Sequence, residues 1–181
     1  FNAVVGRANA VIENTATGER YEKETQPLTN YNILVLDQSL KNNSYVTLVN
    51  TSTMRSGSSY DANLTGLLFR FANKSNKYGI NGKAALSQRY FSDDTRLGHA
   101  YSVGFGKISG NFTFSASHSV KSDTYNPNDL GYNNINNTVD EELYFSYRFF
   151  QPFWKFLNAN TSLGAVYSRR YEPDAFQNFV I

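Results

Sequence analysis

The stretch Tyr78–Tyr90, YGINGKAALSQRY, decides the fold. One alternating set holds Tyr78, Ile80, Gly82, Ala84, Leu86 and Tyr90, and the other Gly79, Asn81, Lys83, Ala85, Ser87 and Arg89. Apolar residues at every second position mark a strand with two unlike faces. The polar set cannot enter a dry core, because Lys83 and Arg89 would lose hydration with no partner at hand. A long strand with one apolar and one wet face suits a sheet between lipid and a water-filled lumen.

The same rule recurs downstream. His99, Tyr101, Val103 and Phe105 oppose Ala100, Ser102, Gly104 and Gly106. Phe112, Phe114, Ala116 and Val120 oppose Asn111, Thr113, Ser115, Ser117 and Ser119. Leu143, Phe145, Tyr147 and Phe149 oppose Glu142, Tyr144, Ser146 and Arg148, and Leu157–Tyr167 alternates likewise. Segments 44–55 and 61–73 alternate too poorly for their faces to be assigned. The pattern predicts ten strands, over 1–13, 31–40, 44–55, 61–73, 77–92, 98–108, 111–121, 141–150, 155–171 and 175–181. Most reach the 9–11 residues that a tilted membrane strand needs. No window carries an apolar stripe at helical period with caps, and no run approaches the ~20 apolar residues of a membrane helix.

The links between these strands alternate long and short through the first eight. Outer-membrane barrels have short periplasmic turns and long outer loops. The turns Lys41–Asn43, Lys74–Asn76, Ser109–Gly110 and Gln151–Trp154 are therefore expected in the periplasm, and loops 14–30 and 122–140 outside. Composition agrees: 14 Phe, 13 Tyr and 12 Gly with one Trp, one Met and no Cys among 181 residues. The net charge of +2 leaves no electrostatic footprint for nucleic acid. Phe1 and Ile181 fall inside strand-like patterns, so the chain reads as a segment of a longer barrel.

Several groups invite a chemical reading. Lys83, Arg89, Glu142, Arg148 and Arg170 are expected to face the lumen, either pairing as struts, the preferred reading, or selecting solutes by charge. Tyr90 and Phe91, and Phe149, Phe150, Phe153 and Trp154, stand at strand ends where aromatic girdles mark the lipid interfaces. Loop 122–140 is rich in Asn and Asp but lacks the acidic spacing of a calcium loop, and those residues are ordinary turn formers. Ser92, Asp93, Asp94 and His99 have no specific catalytic spacing. No catalytic residue, metal or cofactor is therefore expected.

The run Thr29–Asn50, with Met54–Gly57, Tyr60–Asn63, Tyr125–Gly131 and Tyr167–Arg170, resembles a family of Bacteroidota envelope proteins described as domain of unknown function 5916. The likeness covers roughly residues 29–181. It implies a carboxy-terminal outer-membrane barrel, preceded in typical members by a carbohydrate-binding module similar to family nine. No catalytic motif comes with it.

The expected fold is all-β: an antiparallel transmembrane β-barrel, or a partial barrel of about ten strands, forming one unit over 1–181. Its expected place is the outer membrane of a Gram-negative bacterium, with the lipid bilayer as its main partner. Its expected role is solute passage or ligand reception at the cell surface. The alternative is a structural subunit or client of a larger outer-membrane assembly, reached through free strand edges or long loops.

Overall fold

The computed structural model describes residues 1–152 and 154–181. Its strands are β1 (Asn2–Val5), β2 (Ala8–Glu13), β3 (Arg20–Gln26), β4 (Thr29–Leu40), β5 (Ser44–Arg55), β6 (Asp61–Ala72), β7 (Tyr78–Tyr90), β8 (Thr95–Lys107), β9 (Phe112–Lys121), β10 (Thr138–Phe149), β11 (Ala159–Arg170) and β12 (Ala175–Val180). Ten of them form one antiparallel sheet in the order β1-β4-β5-β6-β7-β8-β9-β10-β11-β12, while β2 and β3 pair apart. From β4 onward every strand lies beside the next in sequence, as short connections between antiparallel neighbours favour.

The expectation of about ten antiparallel strands holds, but closure into a barrel does not: β1 and β12 are the two edges of an open sheet. Both edge strands are short. β1 covers only Thr29–Asn32 of β4, and β12 only Val166–Arg170 of β11. Neither offers the other a full ladder.

Register defines two faces. One row runs Leu36, Leu48, Leu67, Ala84, Tyr101, Val120 and Val139 across seven strands. Ile80, Leu86, Phe145 and Leu163 share this face, and they are 39%, 41%, 40% and 60% exposed. The opposite face carries Lys83, Ser102, Ser119 and Asp140 in one row. A single depression on it touches side chains from β5 to β10. Six flat strands would span about 24 Å, so the sheet is curled and this polar face is concave.

Among the described residues the buried apolar set is only Ala62, Val120 and Val139. Most of the exposed large apolar side chains lie on the convex face, with Val35, Leu68 and Tyr144 among the exceptions on the concave one. At the end of the sheet where β4 begins, that face turns polar. Asn2 donates to Asn30 and Asn32 (both 2.6 Å), and Asn50 bridges Asn63 (3.0 Å) and Thr65 (2.9 Å). Packed cross-strand amides satisfy one another there.

Three sequence expectations need correction. The strand expected over 1–13 breaks at Gly6–Arg7, and its second half pairs with Arg20–Gln26 inside the expected loop 14–30. Charge on both faces of β3 hid its period. Backbone pairing and the ion pairs Arg20–Glu13 (2.7 Å) and Arg7–Glu24 (2.8 Å) hold the hairpin instead. Next, β11 starts at Ala159, so the link after β10 spans 150–158 and is not the short turn 151–154. Finally, β8 begins at Thr95, which shrinks the link before it to 91–94. Loop length therefore sorts less cleanly by side, although 6–28 and 122–137, the two longest links, do share one end.

Candidate functional site

The concave face is built by strands whose side chains alternate, so its composition follows from register. Lys83 lies opposite Leu68 and Ser102, and Arg89 opposite Ala62 and Arg96. Glu142 lies opposite Ser117, Arg148 opposite Asn160, and Arg170 opposite Thr138. All five charged residues named from the sequence thus share the concave face. Arg55 and Arg70 join them; they escaped the sequence reading because β5 and β6 show no clean alternation.

The expected struts do not form. None of the ion pairs among the described residues joins the five to one another. The reason is distance: β7 and β10 are three strand spacings apart, about 14 Å on a flat sheet. In the two central rows of the face, charge is instead set apart by sign. Arg70 and Lys83 stand on β6 and β7, and Asp140 and Glu142 on β10. Between them lie only Ser102 and Gly104 of β8 and Ser117 and Ser119 of β9. The Ser117 hydroxyl donates weakly to Glu142 (3.4 Å), and Ser168 to Asp140 (2.6 Å).

This small-residue strip is the floor of a depression of ≈ 660 Å3, with Lys83 and Glu142 in its lining. Its roof is segment 122–137, which contributes Tyr125, Pro127, Tyr132 and Asn133. The sequence leads to the expectation of a solvated loop over 122–140; the structure folds 122–137 onto the concave face. Gly98 permits the approach, since a Cβ there would sit 2.4 Å from the Tyr125 Cα. The Asn126 N–H donates to Ser87 Oγ (3.1 Å), whose hydroxyl donates to the Gly98 carbonyl (3.2 Å).

A latch holds the far end of the segment. Arg55 Nη2 donates to Asp129 Oδ1 at 2.5 Å, with the side chains only 17% and 10% exposed. Arg55 also donates to the Tyr60 carbonyl (2.8 Å), and its guanidinium lies 4.7 Å over the Tyr60 ring. Burial, then the Asp129 carboxylate beside it, pushes the Tyr60 phenol above its ordinary range. Burial does the same to Tyr125. Beneath the segment, Thr53 is 1% exposed and its hydroxyl has no partner among the described residues. The near end is tied by Lys121, which donates to Asn133 Oδ1 and the Ile135 carbonyl (both 3.3 Å).

The aromatic residues divide. Tyr90 lies on the convex face. Phe91 stacks on Tyr60 (4.9 Å) beneath Arg96 (4.6 Å) at the loop end. Phe149, Phe150 and Trp154 gather at the opposite end, where Trp154 is 82% exposed and contacts Phe156 (5.7 Å). Phe153 lies outside the described residues. Asp94 pairs with Arg96 (3.3 Å), whereas His99 packs against Tyr171 (5.5 Å) on the convex side. The sequence neighbours Ser92, Asp93, Asp94 and His99 are thus not assembled into one site.

A family model described as "Domain of unknown function (DUF5916)" matches residues 1–181, which extends the likeness through the β1–β3 region. No curated protein and no solved structure matches the chain.

Proposed function

Since the chain belongs to the DUF5916 family, whose description assigns no activity, we propose from its geometry that it forms part of an outer-membrane β-barrel of a Gram-negative bacterium. Its convex face meets lipid and its concave face lines a water-filled path for small solutes. The observation that carries this reading is the inversion of polarity: most large apolar side chains on an exposed convex face, most charged and hydroxylic ones on the concave face, and almost no buried apolar core among the described residues. An apolar patch of this extent has no place on a monomer in water. Lipid accepts it, provided every backbone group is paired.

Three details agree. Tyr90 at one end of the sheet and Phe149, Phe150 and Trp154 at the other fit two interfacial girdles. The amide ladders around Asn2, Asn32 and Asn63 fit a rim above the hydrocarbon. On the convex face, Glu141 is paired with His118 at 2.9 Å, as an acid near lipid requires.

The test is reconstitution. The full-length protein is expected to need detergent for monodispersity and to conduct ions when inserted into planar bilayers. A monodisperse monomer in plain buffer sinks the lipid reading.

The open edges favour a second reading, a structural subunit or client of a larger assembly. Unpaired backbone at the β4 and β12 edges costs several kcal/mol per group in lipid, an order-of-magnitude figure. Strands from elsewhere must cover them. Reproducible co-purification with envelope proteins, without conductance, selects this alternative.

A further inference from the structure

The sorted charges in the two central rows of the concave face do not neutralise each other. Arg70 and Lys83 are diagonal neighbours, since Arg70 sits opposite Asn81, and such positions are about 7 Å apart. Asp140 and Glu142 are two residues apart on one face of β10, again about 7 Å. Each like-charged pair repels. The opposite signs face each other over about 14 Å of sheet, beyond the ~8 Å screening length of physiological salt. Lys83 and Arg70 have no ion pair among the described residues. In these two rows the strip between the walls bears only hydroxyls and glycine. Lys121, one row further along β9, also lines the depression, with its ammonium held by Asn133 and the Ile135 carbonyl.

We infer that the roofed depression between Lys83 and Glu142 is a binding site for a zwitterionic solute, a short peptide whose carboxylate faces Lys83 and whose ammonium faces Glu142. This rests on the concave face being a solute path. Two or three residues fit: extended, they span about 7–10 Å, and the Lys and Glu stems close the remainder. The Ser117 and Ser102 hydroxyls lie beneath the peptide groups and offer donors and acceptors to them. A purely anionic solute would leave the β10 wall unsatisfied, and a purely cationic one the β7 wall.

Calorimetry on the full-length protein in detergent tests this with two probes, trialanine and N-acetyl-trialanine amide, equal in backbone length but differing in terminal charge. Trialanine is expected to bind, and the capped form about tenfold more weakly or less. Lys83→Gln and Glu142→Gln each lose about tenfold for trialanine, with unchanged melting as the check on folding. The double swap Lys83→Glu with Glu142→Lys is expected to restore affinity to within about threefold, because a zwitterion can turn around. A purely structural role predicts no such rescue. Equal binding of both probes, no binding of trialanine, or a swap as weak as the single variants overturns the proposal. Conductance is read separately: a conducting protein that ignores trialanine defeats this inference alone, and a non-conducting one defeats the path reading.

Discussion

At the scale of the residue, the Arg55–Asp129 latch has the sharpest consequences. Asp129→Ala leaves a guanidinium largely buried without its partner, and it should cost about 3 kcal/mol of segment docking. Arg55→Met with Asp129→Leu should recover most of that, since it removes both charges together. Limited proteolysis within 122–137 reads both: fast cutting in the single variant, slow cutting in the double.

Tyr60 reports on the same contact. Its folded ionisation lies above the unfolded one, so the stability it lends is complete below the unfolded tyrosine range. That stability is lost as pH rises through the raised folded value. In Asp129→Asn the Tyr60 phenol should titrate lower, as followed by its ultraviolet absorbance; an unmoved titration would separate Tyr60 from the latch. Thr53→Val exchanges an unpartnered buried hydroxyl for a methyl and should leave stability unchanged or raise it by about 1 kcal/mol. A loss above that in thermal unfolding would show that the hydroxyl has a partner.

At the scale of the element, the strands divide by how visible they were. In β7 one face is mostly apolar and the other mostly polar, with Gln88 and Ala85 as the exceptions, so the sequence alone assigns Lys83 and Leu86 to opposite sides. In β5 both faces mix polar and apolar residues: Asn50 and Ser52 stand beside Val46 and Leu48 on the convex side, and Thr47, Thr51 and Thr53 beside Val49 on the concave. Their mixture erases the period of two, and Arg55 went unplaced. The β2–β3 hairpin was invisible for a related reason, because its ladder is held by backbone groups and ion pairs that leave no apolar trace. The inward fold of 122–137 was out of reach altogether, since it depends on a contact 74 positions apart and on the missing side chain of Gly98.

Gly98→Val is therefore expected to lift the segment off the sheet while leaving the strand ladders intact. Protease should then cut 122–137 with no change in far-ultraviolet circular dichroism. For the membrane reading, Leu163→Lys on the convex face should cost about 2–4 kcal/mol near the midplane, and Ser162→Lys on the concave face much less. Equal costs in chemical unfolding from lipid vesicles would remove the distinction between the faces.

At the scale of the whole molecule, orientation is the open variable that the fold makes testable. The two longest links, 6–28 and 122–137, leave the same end of the sheet. Under the proposed function that end faces outward, because long loops carry recognition and short turns remain behind. An epitope tag in the β2–β3 hairpin near Thr17 should be accessible on intact cells, and one at Asn42 should not; the reverse pattern inverts the topology. Protease on intact cells should cut near Glu19–Glu24 and spare 122–137 while the latch is closed.

The strip of β8 and β9 that floors the depression also has a mechanical meaning. Along β8 the inward side chains are Gly98, Ala100, Ser102, Gly104 and Gly106, while Tyr101, Val103 and Phe105 point outward. Along β9, Ser115, Ser117 and Ser119 face Phe112, Phe114 and His118 in the same sense. Each strand is a wedge, thick on one side and thin on the other, and adjacent wedges bend together as the stones of an arch do. Side-chain volume here sets a preferred radius. The width of any passage along this face is then a matter of how sharply two strands flex, and a bulky residue added to the thin side would push the arch open.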